Sequence, residues 1–133
     1  MDQIDRVLLE KLSADSRISF LSVAKELGIS EGTIRQRVSK LLKKGIIRKF
    51  TIELGSSTTA IVEVMTSSKV PTQKISEKIQ KLGVKKLFEV AGKISIIAII
   101  QADDLTKLNQ LVESIRSIDG VIQTETFPVL KEH

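Results

Sequence analysis

The chain has 133 residues, 41% of them hydrophobic, enough to build one medium domain or two small ones, and a formal charge of +5. It has no cysteine, which excludes disulfides, thiolate nucleophiles and cysteine metal sites and makes the interior of a cell its expected home, and it has a lone histidine, His133. The start, with Asp2 and Asp5, is unlike a secretory signal, and the longest apolar candidate, Ile94 to Ile100, is strand-sized, so the expectation is a cytoplasmic protein with no membrane contact.

Charge is uneven along the chain. Up to Leu54 there are 11 basic and 7 acidic residues, against 10 and 9 afterwards. Between Arg35 and Lys49 lie seven basic residues and no acid, and such a concentration says more about partners than the total does.

In chain order, a first helix is predicted from about Gln3 to Leu12, capped by Asp2, with Ile4, Val7, Leu8 and Leu12 as its apolar stripe. Asp15-Ser16-Arg17 interrupts the pattern. A second helix from Phe20 to Leu27, with the small Ala24 inside it, ends at Gly28, and Ser30 caps a third that runs to Gly45. Two helices around such a short turn make a helix-turn-helix, a DNA-reading motif. The third helix sets Ile34, Val38, Leu41 and Leu42 at core spacing and its cations elsewhere. Ile46 to Leu54 reads as a β-rich wing, so residues 1–54 are predicted to form a winged DNA-binding domain.

Residues 55–59, small and polar, read as a linker. Strands follow over Ala60–Met65, Lys86–Ala91, Ile94–Ala102 and Val121–Leu130, with helices over Thr72–Leu82 and Leu105–Ser117. This β-α-β-β-α-β order predicts a ferredoxin-like antiparallel sheet over residues 60–133 and makes the chain an α+β protein. Ile96 to Ile100 is apolar on both strand faces, whereas helices cover only one. The other face calls for a second copy of the chain or for the first domain.

Within the motif, Gly32, Thr33, Arg35, Gln36 and Ser39 lie where base edges are read, and the capping Ser30 is counted with the DNA-binding set. Arginine pairs with guanine and glutamine with adenine. Lys40, Lys43, Lys44, Arg48 and Lys49 suit phosphates, supplying affinity and register. Arg37, beside Val38, either joins the DNA-facing set or turns inward to brace the helices. Carboxylates are scattered, and there is no phosphate-cradling glycine loop, so enzymatic activity is not expected. Four phenylalanines as the only aromatics argue against an RNA-stacking platform.

Ile4-Asp5, Ala14-Asp-Ser-Arg-Ile-Ser19, Ser30-x-x-Thr-Ile-x-x-Arg-Val38 and Leu41-x-x-x-Gly-Ile-Ile47 together resemble the Lrp/AsnC regulators, archaeal members concerned with lysine and other amino-acid metabolism among them. Gly92, Asp119-Gly-Val121 and Thr124-x-Thr126 carry the resemblance through the second half. It implies a transcriptional regulator that binds double-stranded DNA at a pseudo-palindromic operator as a dimer, tetramer or octamer. No cofactor is implied beyond an amino-acid effector, held near Gly92, Lys93, Ile94, Ser95, Thr124 and Thr126. Where the family pattern reads Gly-x-Tyr-Asp, this chain has Gly92-Lys93-Ile94-Ser95, a hydroxyl in place of a carboxylate. The competing reading is an architectural, chromatin-like DNA binder that senses nothing.

Overall fold

Asp2 starts α1 (Gln3–Ala14) with a reciprocal cap, its carboxylate accepting from the Asp5 N–H while the Asp5 carboxylate accepts from the Asp2 N–H. The computed structural model describes residues 1–55 and 57–133, in two units, Met1–Glu53 and Leu54–His133.

In the first unit, Ser19 caps α2 (Phe20–Leu27), which stops at Gly28 with φ +67°, a left-handed conformation that glycine adopts at little steric cost. Ser30 then caps α3 (Glu31–Lys43). Leu8 and Leu12 of α1, Val23 and Ala24 of α2, and Ile34, Val38 and Leu41 of α3 make one buried cluster. Each of the larger side chains contributes roughly 1.5–3 kcal/mol by leaving water. Ala24 is small enough to let α2 and α3 approach, and Lys11 of α1 ties to Glu26 of α2 at 2.6 Å. Leu42, expected in the core, is exposed.

The wing departs from expectation. Ile46 and Ile47 both donate backbone N–H groups to the Leu41 carbonyl, and Ile47 packs on the helical core, but residues 46–54 form no strand. A strand needs a neighbour's N–H and C=O groups, and among the described residues none runs beside this stretch. Without such a neighbour the β propensity of Phe50 and Ile52 goes unused, and they and Leu54 are exposed, Ile52 at 72%.

The second unit is a four-stranded sheet of β1 (Thr58–Thr66), β2 (Lys86–Glu89), β3 (Ile96–Ala102) and β4 (Val121–Pro128) in the order β2-β3-β1-β4, antiparallel throughout. β1 begins inside the stretch read as a linker, because Thr58 and Thr59 pair with Ala102 and Gln101; Ser56 of that stretch lies outside the described residues. α4 (Thr72–Gln80) and α5 (Leu105–Arg116) pack on one face through Ile75, Ile79, Leu108, Val112 and Ile115, against Ala60, Val62, Val64, Ile96, Ala98 and Ile100. The alternating residues Ile61, Glu63 and Met65 of β1, Ile97 and Ile99 of β3, Lys86 and Phe88 of β2, and Gln123, Glu125 and Phe127 of β4 share the opposite face, which no helix of this unit covers.

Gly120 carries the turn into β4 at φ +96°, and a Cβ there would stand 2.8 Å from Ile75 Cδ1 and 2.9 Å from Val70 Cβ. Gly120→Ala is expected to cost about 2–4 kcal/mol, combining left-handed strain with overpacking. Gly45→Ala, at φ +72° with open space around it, should cost only about 1 kcal/mol. Urea-unfolding midpoints of the two variants check the difference.

Candidate nucleic-acid interface

On α3, burial of Ile34, Val38 and Leu41 turns one side of the helix inward and leaves Gly32, Arg35, Gln36, Ser39, Lys40 and Lys43 exposed. Lys44 follows as the C-terminal cap residue, and Arg48 and Lys49 are exposed beyond it. Ser30 and Thr33 are partly committed to the fold. The Ser30 hydroxyl accepts from the Thr33 N–H at 3.1 Å and lies 2.8 Å from the Thr33 hydroxyl.

Arg37 is turned inward. Its Nη1 donates to both carboxylate oxygens of Asp2, at 2.8 and 2.7 Å, and to Asp5 Oδ1 at 3.0 Å. The residues that cap α1 thus also anchor α3, and Arg37 is a brace between the helices. Its Nε is buried and meets no acceptor among the described residues. The hydrogen bond from Arg37, reinforced by the Asp5 N–H, holds the Asp2 carboxyl below the usual carboxylate range, and the guanidinium is correspondingly raised by Asp2 and then Asp5. Sequence spacing missed these partners because they lie more than thirty residues away in the chain.

Arg35 also has partners. Nη2 donates to Glu31 Oε1 at 2.7 Å, and the guanidinium carbon lies 5.4 Å from the centroid of the Phe20 ring. The acid-to-arginine spacing of four residues was legible as a helical pair; the ring from α2 was not.

In the second unit, Gly92 and Lys93 are exposed between β2 and β3, with Ile94 and Ser95 half-buried. The Thr66 hydroxyl donates to Ser95 Oγ at 2.9 Å, so the hydroxyl that stands in the acid's place already has a partner. Thr124 and Thr126 pair with Val64 and Val62 and therefore lie on the helix-covered side, across β1 from β3. The structure joins Ser95 to Thr66 and keeps both threonines apart from it. Among the described residues, no three His, Cys, Asp or Glu side chains gather as a metal site, and no helix is long and apolar enough to cross a membrane.

Residues 1–42 match the AsnC-type helix-turn-helix domain, and residues 59–133 match the Lrp/AsnC ligand binding domain. The chain is 39% identical over 134 residues to the HTH-type transcriptional regulator LysM of Sulfurisphaera tokodaii, covering 98% of this chain and 96% of that one. Among solved structures, E. coli AsnC superposes with a TM-score of 0.79 at 27% identity, covering 99% of this chain and 93% of that one. The feast or famine regulatory protein of M. tuberculosis, solved in complex with L-methionine, has a TM-score of 0.85 at 23% identity over 98% of this chain and 92% of its own, a likeness of fold.

Because the Asp2 carboxyl is depressed in the folded state, its contribution to stability is present above the unfolded carboxylate pKa and is lost as pH falls through the folded value. Asp2→Asn keeps a capping side chain but loses that charge, so its melting temperature should drop less than the wild type's between about pH 6 and about pH 3. Parallel thermal melts followed by circular dichroism test this.

Proposed function

This chain belongs to the Lrp/AsnC family of transcriptional regulators, and from that premise we propose that it reads a pseudo-palindromic operator as a dimer or higher oligomer, under the control of a small effector such as an amino acid. The supporting observation is α3 itself, an anchored helix whose outer face carries Arg35, Gln36, Lys40 and Lys43 without a competing acid beyond its first turn. Arg35 and Gln36 read bases, Gly32 and Ser39 permit close approach, and Lys40, Lys43, Lys44, Arg48 and Lys49 neutralise phosphates. Arg37 positions the helix. Residues 1–54 are the DNA-binding part and residues 60–133 the assembly and effector part of a cytoplasmic, non-enzymatic protein.

Self-association runs through the helix-free sheet face. Ile61, Phe88 and Phe127 lie there about two-fifths exposed or more, beside the half-buried Ile97 and Ile99. Lys86 stands on the β2 edge of that face, and Glu63 and Glu125 stand opposite each other toward the β4 edge. A two-fold axis along the strands would set β2 of one copy over β4 of the other, with Lys86 level with Phe127 and two residues along the strand from Glu125. For the effector, the matched ligand binding domain and the fold likeness to a methionine-bound protein support an amino acid, and its place near Gly92 to Ser95 rests on the sequence resemblance alone.

Footprinting on the upstream DNA of its own gene and on random DNA, at fixed salt with and without each free amino acid, tests the reading. Protection in patches one helical turn apart, altered by one amino acid, is expected; uniform coating indifferent to every amino acid would favour the architectural binder. Arg35→Ala should relax one operator position at a cost of about 1–3 kcal/mol, whereas Lys44→Ala should weaken all sequences alike and reduce the salt slope by about 1. Ile97→Asp should shift the sedimentation coefficient to that of a monomer; an unchanged assembly would move the interface elsewhere.

A further inference from the structure

Arg35 is held from two sides. Glu31, one helical turn before it, accepts an Nη2 hydrogen bond at 2.7 Å, while the Phe20 ring lies 5.4 Å below the guanidinium carbon. Phe20 is itself half-buried and packed against the helical core, so the ring is a fixed platform. The Arg35 side chain is nevertheless 65% exposed, leaving most of its five N–H donors free. Such an arrangement removes rotamer freedom from the arginine without consuming its recognition edge. Resting on the reading of Arg35 as a base contact, we propose that Glu31 and Phe20 are specificity-determining positioning residues, a clamp that holds Arg35 ready for a base edge.

Two physical effects act in the same direction. An unrestrained arginine loses side-chain entropy on every base contact, and a clamped one has lost it already. The Glu31 carboxylate is also the only acid of α3 and precedes a run of seven cations, so it stands where the first turn of α3 would meet a phosphate. Its charge disfavours loose electrostatic contact by this end of the helix and is compensated while Arg35 stays beside it. The clamp thus favours base reading over indiscriminate phosphate binding. A merely helix-stabilising Glu31, favoured by the dipole of the first turn, would alter folding stability but not the choice between DNA sequences.

The test measures affinity of the wild type, Glu31→Gln and Phe20→Leu for two duplexes at one salt concentration. One duplex is selected by the wild-type protein from a randomised pool; the other is its scrambled counterpart of equal composition. Glu31→Gln is expected to bind the scrambled duplex more tightly and to lower the selected-to-scrambled affinity ratio by about 3- to 10-fold. Phe20→Leu changes no charge and should lower the ratio by about 2- to 3-fold with scrambled binding unchanged. Ratios equal to the wild type's in both variants, with the wild type discriminating well, would overturn the clamp alone. A wild type that does not discriminate would overturn base reading and the clamp with it.

Discussion

Helix α3 must bury Ile34, Val38 and Leu41 while keeping its cations in water, and a unit of Met1–Glu53 has only a small core with which to hold it. Its orientation consequently depends on a polar anchor as well as on packing. Arg37 supplies that anchor through Asp2 and Asp5, the same two residues that cap α1. A single cluster closes the first helix, joins it to the third and turns one of the cations toward α1. The remaining cations are then displayed from a helix whose rotation about its own axis is set.

The two arginines of α3 show how position divides a residue type into roles. Arg35 and Arg37 are two residues apart, about 200° around the helix, so one faces outward and the other toward α1. Both have acidic partners, yet the Asp2–Arg37 contact links distant parts of the chain, whereas Glu31–Arg35 is local and leaves the guanidinium mostly exposed. The first is a structural brace and the second a presented group.

The sheet of the second unit is built on the same asymmetry. β1 and β3 form its centre, and their alternating residues supply a core on one side and an apolar surface on the other. Two helices suffice to cover only the first side. Glu63 directly opposite Glu125 is a small liability in an isolated sheet, of the order of a few tenths of a kcal/mol, and it places negative charge on the β4 side of that face, away from Lys86 on β2.

Periodicity and capping residues determined by themselves that there are three helices before the sheet, where α2 begins and ends, and that the second half runs β-α-β-β-α-β. These are local properties, because a cap, a left-handed glycine or an alternation of apolar residues acts within a few positions. The cationic face of α3 was legible for the same reason. Only the tertiary structure decided that Ile46 to Leu54 pairs with no strand, that Thr58 and Thr59 join β1, and that Thr124 and Thr126 face the helices across β1 from Ser95. It also decided the partners of Arg37 and the ring beneath Arg35. Each of these rests on groups far apart in sequence meeting in space, and a strand's propensity or an arginine's charge carries no record of which distant neighbour will be there to answer it.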